Sequence, residues 1–110
     1  MSNPPEPPTS PSSASEEAAV SPIVRQFRIV NRRGLHARAS ARFVQIVDGY
    51  DAQVTVEKDG ISVGGDSIMG LMMLAASPGC SITVSARGPD AEAVMGALQA
   101  LIAERFGEEA

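Results

Sequence analysis

The pattern of apolar and polar positions changes period several times along the chain. Residues 24–31 alternate, with Phe27 and Ile29 set against Gln26 and Arg28, which is strand patterning. Gly34 marks a turn. From Ala37 the spacing becomes helical. Ala39, Phe43, Ile46, Val47 and Tyr50 share one face, Arg38, Arg42 and Gln45 another, and Gly49 supplies a stop. Ala52, Val54 and Val56 alternate with Gln53, Thr55 and Glu57 in a second strand. Asp59-Gly60 is a hairpin signal leading into a short third strand with Ile61 and Val63. Ser67 can cap a short helix over residues 68–76, with Ile68, Leu71 and Ala75 inward, Leu74 nearby, and Met69, Met72 and Met73 on the other side. Pro78-Gly79 breaks the chain before a fourth strand, where Ile82, Val84 and Ala86 alternate with Ser81, Thr83 and Ser85. Pro89 and Asp90 introduce a last helix with a buried stripe of Val94, Ala97, Leu98, Leu101 and Ile102, ended by Gly107. The order β-α-β-β-α-β-α, with one-sided alternation in the strands, predicts an α+β fold: an antiparallel sheet with helices on one face.

Residues 1–22 stand apart from this patterning. They hold six of the eight prolines, six serines, three glutamates and no Lys or Arg. Such a segment buries too little apolar surface to offset its ordering entropy and reads as a disordered Pro/Ser-rich tail. A solubilising extension or linker is the plain reading of it, and a docking segment the sharper one. Residues 23–110 then form the single domain that 110 residues allow. No apolar run approaches the ~20 residues that span a bilayer, and the first residues lack a secretory pattern. The expected compartment is the cytoplasm, with no membrane partner.

The chain has one cysteine and one histidine, which excludes an intramolecular disulfide and a Cys- or His-rich metal cluster. No metal or cofactor is expected. Paired carboxylates, a second histidine and a P-loop are all missing, which argues against an autonomous hydrolase or kinase.

Although the net charge is −4, Arg25, Arg28, Arg32, Arg33, Arg38 and Arg42 cluster within residues 23–42 with no acid among them. The cluster points to a local anion site or an acidic partner, unless these are simply solvated arginines. A small nucleic-acid-binding domain is the remote alternative. With 4% aromatic residues and no Trp, stacking platforms for such a role are scarce.

His36 sits between the Gly34 turn and the helix, near the N-cap, where Ser, Thr, Asp or Asn would be the better local choice. A local rule broken at one position often marks function. First-turn N–H groups and the positive helix end favour an anion there, and Arg38 adds a forked donor for phosphate oxygens. A neutral imidazole can act as a nucleophile. On spacing alone, a structural or surface histidine fits the position as well.

Two separate runs extend this reading. Gly34-Leu35-His36-Ala37-Arg38-Ala39-Ser40 resembles the active-site segment of the HPr family, the histidine-containing phosphocarriers of the bacterial phosphoenolpyruvate-dependent phosphotransferase system. Gly65-Asp66-Ser67-Ile68-Met69-Gly70-Leu71-Met72-Met73-Leu74 resembles the regulatory-serine segment of the same family, and Pro78-Gly79-Cys80-Ser81-Ile82-Thr83-Val84 also fits its pattern. The resemblance covers about residues 24–106 and leaves the tail outside.

The resemblance implies an open-faced β-sandwich of four antiparallel strands with three helices on one side. It implies that His36 accepts phosphate on Nδ1 from phospho-Enzyme I, charged by phosphoenolpyruvate, and passes it to a IIA-type protein or domain. Arg38 becomes the charge stabiliser, and Ser67 the serine modified by HPr kinase/phosphorylase where that enzyme exists. Ile68, Met69 and Met72 become part of a common docking surface, with Arg33, Arg38 and Arg42 as its basic rim. The protein would be a monomeric carrier rather than an enzyme. The alternative is an HPr-like regulatory protein that binds partners by phosphorylation state and feeds no sugar transporter. Two positions depart from the family pattern: Ala39, where many relatives have proline, and Arg33, where small polar residues are frequent.

Overall fold

The structure is a computed structural model that describes residues 21–108. The disordered tail expected over residues 1–22 lies almost wholly outside the described residues, and β1 begins at Ile23. The elements are β1 (Ile23–Arg28), α1 (Ala37–Asp48), β2 (Gln53–Lys58), β3 (Ile61–Gly64), α2 (Ile68–Met73), β4 (Ser81–Arg87) and α3 (Ala91–Ala103), followed by a short turn over Arg105–Gly107. The strands pair antiparallel in the order β1-β4-β2-β3. The result is the open-faced sandwich that the sequence implies.

Period-2 patterning decides which face of the sheet is covered. Val54 and Val56 on β2, and Ile82, Val84 and Ala86 on β4, are buried beneath the helices. Val56 stands opposite both Val84 and Val63, which fixes the register in the middle of the sheet. From above, α1 contributes Ala39, Phe43 and Val47, and α3 contributes Ala91, Val94, Met95, Leu98 and Ile102. Leu71 and Leu74 close the end of the core nearest α2. Removing a side chain such as Phe43 or Leu98 from this layer costs about 2–5 kcal/mol, because the lost transfer energy and the cavity add.

Three elements differ from the sequence expectation. β1 ends at Arg28 rather than at residue 31, because its partner β4 starts only at Ser81. Beyond it, Ile29 is held by single bonds, donating from its N–H to the Cys80 carbonyl and accepting from the Gly79 N–H, both at 2.8 Å. α2 stops at Met73 instead of residue 76. Ala75 takes a left-handed φ of 53°, which turns Leu74 and Ala76 into the core and Ala75 itself outward. Ile68, expected inward from periodicity, is exposed. Finally, α3 ends at Ala103, and Gly107 ends the following turn rather than the helix. Met95, outside the expected stripe, is fully buried there, while Ala97 and Leu101 are only half-buried.

Candidate functional site

His36 is the N-cap of α1. Its backbone is extended (φ −76°, ψ −178°) and its carbonyl accepts the first intrahelical bond, from the Ser40 N–H at 2.8 Å. Its side chain makes no cap bond, so the ring is committed elsewhere. The first-turn amides of α1 therefore lack the side-chain acceptor that an N-cap Ser or Asp would give, and the first turn carries no acid.

The loop before the helix is fixed by short-range chemistry. Gly34 has φ +65°, and a Cβ there would run into the Ala76 carbonyl oxygen. A side chain is thus excluded at this position by conformation and by space. The Asn31 side chain is fully buried and donates from Nδ2 to the Gly34 carbonyl at 2.8 Å. The Leu35 amide donates to the Ala76 carbonyl at 2.9 Å, and Leu35 itself is buried. His36 follows these anchors directly, with its side chain 19% exposed.

The ring meets a residue from the other end of the domain. His36 Nε2 lies 2.9 Å from Glu108 Oε2. The same carboxylate accepts from Asn31 Nδ2 at 3.0 Å, from the Arg32 amide at 2.8 Å and from the Arg33 amide at 3.3 Å. Desolvation by itself would raise the Glu108 carboxyl. The bonds from Asn31, His36 and the Arg33 and Arg32 amides outweigh it and hold its pKa below the ordinary carboxylate value. Glu108 reaches this position through three successive left-handed residues, Arg105 (φ 59°), Phe106 (φ 56°) and Gly107 (φ 78°). Phe106 is buried and anchors the turn, and the Arg42 guanidinium lies against Gly107.

The sequence-predicted residues fall into two groups. Arg33 and Arg38 line an open groove with Arg32, Gly107 and Glu108, next to His36, and both side chains project into solvent. Arg42 is one turn further along α1, with its guanidinium close to Gly107. Ser67 caps α2, its Oγ accepting from the Gly70 N–H at 2.9 Å. On α2, Ile68 and Met72 are about two-fifths exposed and Met69 and Met73 are 72% exposed, so the methionine side faces outward. Since α1 and α2 pack together, the apolar patch and the basic groove belong to one end of the molecule. At the first departure from the family pattern, Ala39 is buried as a small side chain against the core. At the second departure, Arg33 bonds Glu108 through its amide, and its side chain is exposed.

Sequence reasoning missed Glu108 and Asn31. Asn31 carried a signal: it continues the inward alternation of Phe27 and Ile29, and a polar residue on a buried face needs partners. Glu108 carried none.

His36, at a helix start that its own side chain does not cap, lies beside an open groove edged by arginines, an exposed arrangement rather than an enclosed pocket. A family model described as "PTS HPr component phosphorylation site" matches residues 23–104. The chain is 49% identical over 86 residues to phosphocarrier protein HPr of Cupriavidus necator, covering 78% of this chain and 97% of that one. It is 35% identical over 86 residues to phosphocarrier protein NPr of Shewanella violacea, covering 78% and 94%. A crystal structure of HPr from Thermoanaerobacter tengcongensis matches with a TM-score of 0.76 at 43% identity, covering 80% of this chain and 99% of that one. The chain belongs to the HPr family of the phosphotransferase system: it is a phosphocarrier, not a catalyst.

Proposed function

We propose that His36 is the phosphoacceptor, receiving the group on Nδ1 from phospho-Enzyme I and handing it to a IIA-type protein in the cytoplasm, with the protein acting as a monomer. The observation that carries this is the placement of His36 at the start of α1 with no side chain capping the helix. A phosphoryl group on the ring there would meet first-turn amides and the positive helix end. Arg38, on the exposed side of the first turn, offsets charge on the equatorial oxygens as the two histidines approach in line. A shallow groove suits such a transfer, because the second histidine comes from the partner.

Ile68, Met69 and Met72 form the apolar part of the docking face, where flexible thioethers can pack against more than one partner. Arg33, Arg38 and Arg42 supply a basic rim for an acidic partner surface. Ser67, at the base of this patch, is the proposed target of HPr kinase/phosphorylase. The similarity to a phosphocarrier protein named NPr leaves open a second reading, in which the same chemistry serves regulation and not sugar uptake.

Incubation with phosphoenolpyruvate and Enzyme I, followed by intact mass and phosphosite mapping, tests the assignment. One acid-labile, alkali-stable phosphate on His36 is expected, and none on His36→Ala. Full phosphorylation of that variant would defeat it.

A further inference from the structure

We propose that Glu108 is a positioning residue for phosphoryl transfer: its carboxylate keeps the imidazole proton of His36 on Nε2, so that Nδ1 carries the lone pair that attacks phosphorus. The inference rests on the reading of His36 as phosphoacceptor.

Glu108 faces donors on every side. The Arg32 and Arg33 amides and Asn31 Nδ2 all point hydrogens at its oxygens. Those bonds favour the ionised form, and an ionised carboxylate can only accept. The 2.9 Å contact with His36 Nε2 is therefore a bond in which the ring donates. A neutral imidazole has one N–H, and committing it to Nε2 leaves Nδ1 bare.

The geometry is specified on both sides. Asn31 is fully buried and ties the carboxylate to the Gly34 carbonyl of the histidine loop. On the other side, buried Phe106 and the left-handed run Arg105–Gly107 aim Glu108 inward. Non-glycine residues rarely adopt that conformation, so two in succession are held by the surrounding packing.

The step balances without a proton changing place. The Nδ1 lone pair forms the new N–P bond while the donor's N–P bond breaks and its electron pair stays on the donor nitrogen. Nε2 keeps its hydrogen, so the phosphorylated ring is an imidazolium, whose charge Glu108 faces directly. In onward transfer the N–P bond breaks, its pair returns to Nδ1, and the ring reverts to the neutral Nε2–H form, again beside Glu108.

The test uses the full chain with 15N-labelled imidazole, at a pH where the ring is neutral and before any phosphorylation. A protonated Nε2 and a bare Nδ1 are expected in the natural chain. In Glu108→Ala both nitrogen shifts should move towards averaged values. Acceptance of phosphate from phospho-Enzyme I should slow roughly 3- to 10-fold, the worth of one hydrogen bond. A proton on Nδ1 in the natural chain overturns the proposal, as does an unchanged tautomer or an unchanged rate in the variant. Failure of His36 itself as acceptor is separately visible, because phosphosite mapping would place the group elsewhere while the tautomer measurement stayed readable.

Discussion

The Leu35 amide and the Ala76 carbonyl share a hydrogen bond of 2.9 Å, which ties the residue before the histidine to the turn that ends α2. The His36 loop and the proposed docking helix are therefore not independent. Anything that parts these two backbones moves His36 relative to the methionine patch.

Gly34 sits at that junction. Gly34→Ala must adopt an unfavourable left-handed φ and push its Cβ against Ala76. A loss of about 2–4 kcal/mol in urea unfolding is expected from the two effects together. Phosphotransfer per folded molecule should fall as well, because the loop has to shift to make room.

Ser67 separates a local role from a regulatory one. Ser67→Ala removes the cap on Gly70 N–H and should cost about 1 kcal/mol, with phosphotransfer near normal and modification by the kinase lost. Ser67→Asp keeps an acceptor for the helix start but puts a charge beside Ile68, Met69 and Met72. It should weaken Enzyme I binding and slow His36 phosphorylation. Calorimetric affinity for Enzyme I decides the matter, and equal affinities for the natural and Asp chains would rule out a switch at this step.

Arg38 projects from the exposed side of α1 into the groove and contributes nothing to the Phe43 and Val47 layer. Arg38→Ala should slow transfer while leaving the melting temperature nearly unchanged. Collapse of stability with normal transfer per folded molecule would make the residue structural.

The pH dependence of stability carries a sign that Glu108 sets. Its folded pKa lies below the ordinary value of 4.5, so folding favours the ionised form. Its contribution is fully present above about pH 4.5 and is lost as pH falls through the folded value. The natural chain and Glu108→Ala should thus differ in urea midpoint at neutral pH and converge only once the pH has fallen through that folded value. A gap that persists there would mean the bonds to Asn31 and the amides do not depend on charge.

Much of the fold was legible because its signals are local. Alternation in β2 and β4, the Asp59-Gly60 turn and the Phe43 stripe each depend on residues a few positions apart. The errors arose where tertiary contact overrode the pattern. β1 ran out of partner, and Ala75 took a backbone conformation that composition favours for glycine. Met95 displaced its half-buried neighbours because the helix turned its Ala91–Leu98 face to the sheet. His36, Arg38 and Ser67 were singled out as candidates by motif and capping rules. Glu108 was not, because its meeting with His36 depends on three consecutive left-handed residues after α3, which no periodicity announces.

The bond between His36 and Glu108 closes a loop of chain 72 residues long. Three of the four strands and all three helices lie inside that loop, and β1 precedes it, so a ribosome must have released nearly the whole domain before the ring can meet its carboxylate. A product cut just short of Glu108 would keep every strand and helix and still carry a histidine with a loose ring. On the proposed role of Glu108, folding and full transfer rate would then end at different residues, and the carrier would reach its full rate only with the last part of the domain to emerge.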